Sequence, residues 1–108
     1  MMVLKQSHNF VSFFISDDIN ENEFPEYIGK LGFNCIRFNI DKIGFARQFI
    51  KLKVFEHMNL GYPDFFIWKG REHYFCEFKS KNDLLHSNQI NWLLFNSHLP
   101  YALAKVIL

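Results

Sequence analysis

An excess of charge of one sign is missing from this chain. Twelve Lys and Arg against eleven Asp and Glu leave a formal charge of +1 over 108 residues. That excludes the broad basic field by which bulk nucleic-acid binders hold their ligand, so any grip on a polyanion must come from a local patch or from metal ions. Cysteine is scarce as well. Cys35 and Cys76 each sit inside an apolar run, without C-x-x-C spacing, which excludes a disulfide-stapled scaffold and reads as two reduced, buried thiols. None of the five histidines forms an H-x-x-x-H pair, so no zinc site is proposed. No stretch approaches the ~18 apolar residues of a membrane span. Met1 to Ser16 lacks the long apolar run and small-residue cleavage site of a signal peptide. The expectation is a protein of the cytoplasm, or of the host cytoplasm or nucleus if it is viral, with no membrane partner.

Aromatic residues are what the chain has in quantity. They make up 19% of it, with Phe alone at 14, inside a 49% apolar composition. This is enough apolar surface to offset chain entropy, and aromatics favour strands. The length suits one domain with one core, spanning residues 1–108. Phe10 to Ile15 reads as a short strand, and Asp17 to Asn22 as a polar cap. From Glu21 to Leu31, Phe24, Ile28 and Leu31 fall at helical spacing. Pro25 fits a first turn, so either the helix begins near Phe24 or Pro25 bends an earlier start. Gly32 is a stop. Phe33 to Ile40 reads as a strand. Phe45 to Met58 fits both periods; its length and lack of a breaker favour a helix over Ala46 to Met58. Asp64 to Lys69 and Glu72 to Lys79 read as two strands. A helix runs from His86 or Ser87 to Asn96, with Ile90, Leu93 and Leu94 as its inner stripe, and Tyr101 to Leu108 is a final strand. The order implies a mixed α/β sheet covered by helices.

The two middle strands carry the chemistry. If Gly70 and Arg71 form a type II′ turn, Lys69 faces Glu72 and Asp64 faces Glu77. A four-residue loop keeps that register; a three-residue loop shifts it by one. Directly opposed side chains lie ~5 Å apart, and both strands are apolar on both faces, from Phe65 to Trp68 and from Phe75 to Phe78. Two facing carboxylates in such surroundings destabilise a fold unless something compensates, and a hard divalent cation such as Mg²⁺ or Mn²⁺ would. Lys79 projects from the same face as Glu77. Metal, carboxylates and an ammonium are the parts that phosphodiester hydrolysis needs. A plain alternative exists: Asp64 as a turn cap beside a surface Glu77–Lys79 ion pair. The apolar flanks argue against it.

These residues resemble a known family. Pro63-Asp64, twelve residues, then Glu77-Phe78-Lys79 is similar to the PD-(D/E)XK nuclease signature. Gly61-Tyr62-Pro63-Asp64-Phe65 resembles the G-x-P-D-L of the virus-type replication-repair nucleases (VRR-NUC). Asp83-Leu84-Leu85 and Gln89-Ile90-Asn91-Trp92-Leu93 resemble that family's D-x-L and Q-x-x-W-L. The resemblance implies a restriction-endonuclease-like α/β fold and cleavage of DNA with Mg²⁺ or Mn²⁺. It implies metal binding by Asp64, Glu77 and the backbone carbonyl of Phe78, with Lys79 catalytic and Gln89 facing the site. It also implies a first-helix glutamate, for which Glu21 is preferred over Glu23 and Glu26, and a homodimer acting on branched DNA such as Holliday junctions.

Outside that set, Lys81, His86, Arg71 and Lys69 are the candidate nucleic-acid contacts, with Lys51 and Lys53 as further basic residues. Lys81 is the strongest of them because it follows Lys79 by two residues; His86 stands at a helix start, where phosphates bind. Trp92 is assigned to the core and Asp83 to bracing its loop. Arg37, on an apolar strand, needs a carboxylate or phosphate partner.

Overall fold

A computed structural model describes residues 10–38, 43–46, 48–49 and 61–108. Its elements run β1 (Phe10–Ile15), a 3₁₀ turn (Glu21–Glu23), α1 (Phe24–Lys30), β2 (Asn34–Arg37), α2 (Ile43–Ala46), β3 (Phe65–Lys69), β4 (Glu72–Lys79), α3 (Ser87–Phe95) and β5 (Tyr101–Val106). The five strands make one sheet in the order β1-β5-β4-β3-β2. The β1–β5 and β5–β4 pairs are parallel, and β4–β3 and β3–β2 antiparallel. This is the mixed, helix-flanked α/β sheet of a restriction-endonuclease-like fold.

The first helix resolves the ambiguity at Pro25. Asn20 Oδ1 accepts from the Glu23 backbone N–H at 3.1 Å, and Glu23 Oε1 accepts from the Asn20 N–H at 2.8 Å. That reciprocal box starts a 3₁₀ turn, and α1 begins at Phe24 with Pro25 in its first turn, where its missing N–H costs nothing. The helix ends at Gly32, whose φ of 95° lets the Phe33 N–H reach the Ile28 carbonyl at 3.2 Å. Phe24 and Ile28 are fully buried, each contributing about 2–3 kcal/mol of apolar burial.

Strand alternation divides the core. On the α1 face, Phe65, Ile67, Cys76, Phe78, Ala102 and Ala104 pack under Phe24 and Ile28. On the α3 face, Phe66, Phe75, Tyr101, Phe38 and Leu99 pack round Trp92. Cys76 is buried and Cys35 partly so, both as free thiols.

Several boundary expectations change: β3 begins at Phe65 rather than Asp64, α3 ends at Phe95 rather than Asn96, and β5 ends at Val106 rather than Leu108. β2 is shorter than Phe33 to Ile40, because Phe38 leaves the ladder to bond the Asp64 carbonyl at 2.9 Å; Asn39 and Ile40 lie outside the described residues. The helix expected over Ala46 to Met58 lies mostly outside them too; Ile43–Ala46 is the helical turn described there. One assignment of an inward face is corrected as well. The inner stripe of α3 is not Ile90, Leu93 and Leu94. Ile90 is 41% and Leu94 66% exposed, whereas Trp92 and Asn96 are fully buried and Gln89 and Leu93 partly so. The inward set is therefore Gln89, Trp92, Leu93 and Asn96. Its spacing is helical, but two of its members are polar, so apolar periodicity selects the neighbouring stripe. Among the described residues no helix is long and apolar enough to cross a membrane.

Candidate active site

The hairpin has the register expected for a two-residue turn. Lys69 pairs with Glu72 and Phe65 with Cys76, and Gly70 takes φ 62° while Arg71 keeps a negative φ, as a type II′ turn requires. One step beyond the ladder, Asp64 falls opposite Glu77. The two carboxyl groups face each other closely enough to interact directly.

Asp64 is held from two sides. Its carbonyl accepts from the Phe38 N–H at the end of β2, and its Oδ2 accepts from the Phe78 backbone N–H at 3.1 Å. The approach to Asp64 is fixed by Gly61, which has φ 86°. A Cβ built there would lie 2.1 Å from the Asn88 carbonyl oxygen, so only glycine lets this segment lie against the first turn of α3. Pro63 is buried, and Tyr62 packs between Phe38 and Trp92 at ring-centroid distances of 6.0 and 6.3 Å. The Gly-Tyr-Pro lead-in is thus more than turn chemistry: it seats Asp64 against the helix that carries Gln89.

Glu77 is 1% exposed and Lys79 5%. Lys79 Nζ lies 3.4 Å from Glu77 Oε2, and Gln89 Nε2 donates to the same oxygen at 2.7 Å. The Gln89 amide is fixed at its other end, since its Oε1 accepts from the His86 N–H at 2.8 Å. Glu77 Oε1, by contrast, is buried without a hydrogen-bond partner. Burial first, and then the Asp64 charge, push the Glu77 carboxyl up to about 8, against the opposing pull of Lys79. Asp64 is raised as well, by burial and by the Glu21 charge, with the Phe78 N–H working the other way. The surface ion-pair alternative does not describe this arrangement: the pair is buried, and a second carboxylate stands against it.

Glu21 is the member of its trio whose charge reaches Asp64. Glu23 is spent on the capping box, and Glu26 lies on an exposed face of α1. Glu21 is also ion-paired with Arg37, whose other arm donates to Asn22 Oδ1 at 2.9 Å. Arg37 thereby has the carboxylate partner its position on an apolar strand demanded. Among the described residues no three His, Cys, Asp or Glu side chains converge as a ligand set.

The basic candidates separate. Lys81 is exposed on the loop just past Lys79, and His86 is exposed at the start of α3. Lys69 and Arg71 sit at the opposite end of the hairpin, about 17 Å along the strand from Asp64. There Lys69 Nζ donates to the Leu31 carbonyl at 3.1 Å and lies 4.8 Å from the Phe33 ring centroid. Asp83 braces its loop, accepting from Ser80 Oγ at 3.1 Å. Lys51 and Lys53 lie outside the described residues.

With this geometry in view, the comparison with known families is decisive: residues 35–106 match the VRR-NUC domain. The chain belongs to the VRR-NUC family. The matched stretch holds Asp64, Glu77, Lys79 and Gln89 and begins beyond Glu21, which lies in the 3₁₀ turn before α1 rather than in the first helix itself. No curated protein and no solved structure matches the chain. VRR-NUC membership implies a nuclease-family function, and therefore contact with nucleic acid. Sequence reasoning did not single out Lys105. Its one signal was a lysine within an otherwise apolar final strand.

Proposed function

We propose that this VRR-NUC domain is a metal-dependent DNA endonuclease, with Asp64, Glu77 and the Phe78 carbonyl as the ligands of Mg²⁺ or Mn²⁺. The observation that carries this reading is the buried, unpartnered Oε1 of Glu77 beside a second carboxylate. A buried acceptor of this kind is costly unless a cation or a proton satisfies it. Two carboxylates and a carbonyl suit Mg²⁺, which keeps several waters and takes further oxygens from a substrate phosphate. The bound ion would supply charge neutralisation at the phosphate and an activated water.

The chain's own residues set up the rest. Gln89 holds Glu77 Oε2, leaving Oε1 as the free lone-pair donor. Lys79, buried and 3.4 Å from Glu77 Oε2, would offer its remaining N–H groups to an attacking water or a phosphate oxygen. There it stabilises negative charge that grows in the transition state. Glu21, kept near Asp64 by Arg37, is the candidate for an outer ligand reached through water. Lys81 and His86 flank the mouth as phosphate contacts. Lys69 and Arg71 could reach only a distant part of a substrate.

We further propose selectivity for branched DNA, including Holliday junctions, in replication, repair or recombination, by a homodimer. Two symmetric sites suit two symmetric strands, and the exposed Ile90, Leu94 and Phe95 on α3 are apolar surface suited to such contact. A second reading is a nuclease fold that binds DNA or a repair protein without cutting; the near-neutral charge and the absence of a three-residue ligand set among the described residues favour it. The discriminating experiment is a nicking panel on linear, flapped and four-way junction DNA with Mn²⁺ or EDTA. Metal-dependent nicking strongest on branched DNA is the expected result. Binding with no nicking in any metal would overturn the enzyme reading.

A further inference from the structure

The loop from Ser80 to Asp83 joins the strand that carries Glu77 and Lys79 to the helix that carries Gln89. Lys105 is paired with Lys79 on the neighbouring strand β5, so two lysines stand side by side on the face of the site, about 5 Å apart at the backbone. Their ammonium groups have different partners. Lys105 Nζ donates to the carbonyls of Ser80 at 2.8 Å, Lys81 at 2.8 Å and Asp83 at 2.5 Å. An ammonium has three N–H donors, so all three are used and none is left for a phosphate. Within the loop, the Asp83 N–H bonds the Ser80 carbonyl at 3.1 Å. Three carbonyl dipoles converging on one point repel one another unless a compact cation lies between them, and charge-assisted bonds of this kind are the stronger class.

We propose that Lys105 is a positioning residue, which folds the 80–83 loop so that the end of β4 and the first turn of α3 meet with Gln89 on Glu77 and Lys79 at the reacting phosphate. This rests on the reading of the site given above. A methionine at 105 keeps the apolar stem and loses the donors. An arginine keeps the charge, but its planar fork cannot focus three bonds on one point.

The test uses the whole chain as wild type, Lys105→Met, Lys105→Arg and, as a control for modest destabilisation, Ile28→Val in α1. Nicking of a four-way junction in Mn²⁺ gives kcat and KM, and hydrogen exchange follows the backbone amides of residues 80–89. For Lys105→Met we expect kcat to fall about 10-fold or more, since small misplacements of reacting groups are expensive, with KM within about threefold. The amides of residues 80–89 should exchange about 10-fold faster or more, while those of the β3–β4 hairpin keep their protection. Lys105→Arg should restore neither property, and Ile28→Val should keep wild-type kcat. Unchanged exchange in Lys105→Met would overturn the proposal. So would a raised KM at wild-type kcat, which marks a phosphate contact, or full recovery of kcat by Lys105→Arg, which marks a role of charge alone. An equal loss in Ile28→Val would reduce the effect to stability and overturn it too. If the wild type nicks nothing, the nuclease reading fails, and the exchange pattern still decides the clamp.

Discussion

Alternate residues of β4 live in two different molecules, in effect. Cys76 and Phe78 point into the α1 face, where they pack in an apolar cluster and burial stabilises them. Glu77 and Lys79, their immediate neighbours, point to the α3 face and are buried nearly as deeply. There, burial works against the fold: it drives the Glu77 carboxyl up to about 8 and leaves one of its oxygens without a partner. The contrast teaches that depth alone says little about a residue's purpose. Both faces of the strand carry a packed apolar core, but on the α3 face that core also encloses two charged groups whose burial is costly.

The sharpest way to break that comparison is to exchange the two kinds of damage. Lys79→Ala should reduce cleavage by about 1,000-fold or more, a barrier increase of about 4 kcal/mol, with an unchanged circular dichroism spectrum. Full activity in that variant would remove Lys79 from the site. Phe65→Ala on the other face should destabilise by about 3–5 kcal/mol, read by urea denaturation, with activity lost only in proportion to unfolding.

The next effect has a definite sign in pH. Glu77 titrates near 4.5 when unfolded and about 8 when folded. Between those values the native state holds a proton that the unfolded state has lost, so stability falls as pH rises. In EDTA, the melting temperature should therefore be highest below pH 4.5, as far as this group is concerned, and decline up to about pH 8. The total should be on the order of a few kcal/mol. Glu77→Gln should flatten the decline while abolishing cleavage. A wild-type profile that rises over the same range would show that Glu77 is not the strained group described here.

Gly61→Ala tests the seam between the two regions. Its Cβ would press on the Asn88 carbonyl from a backbone conformation that L-residues resist. A loss of about 1–3 kcal/mol is expected, with weakened metal binding by calorimetry because Asp64 loses its seat. The smallest effects concern the two ends of the hairpin. Lys81→Ala should reduce the salt slope of DNA binding by about 0.9, whereas Arg71→Ala should leave it unchanged and alter stability by less than about 0.5 kcal/mol. Equal slopes for the two would mean that DNA covers the whole hairpin.

Much of the site was legible in sequence because it depends on local rules. A Gly-Arg turn of two residues dictates the pairing of 69 with 72, and the two-residue period of a strand then carries that register out to 64 and 77. The apolar flanks of those positions exclude a solvated pair. The inner stripe of α3 was illegible for an equally physical reason: it is built from Gln89 and Asn96 as well as Trp92, and hydrophobic periodicity does not register polar side chains whose partners lie elsewhere in the fold.

By itself, then, the sequence determined the hairpin, its register and the face shared by Asp64, Glu77 and Lys79, since each follows from turn geometry and strand alternation within sixteen residues. Tertiary structure decided what those groups meet: Gln89 on Glu77, Arg37 on Glu21, Asn88 against Gly61, and Lys105 beneath the 80–83 loop. Such contacts join positions from three strands, one helix, a 3₁₀ turn and two loops. No local periodicity encodes them, because they exist only once separate elements have been packed into one solid.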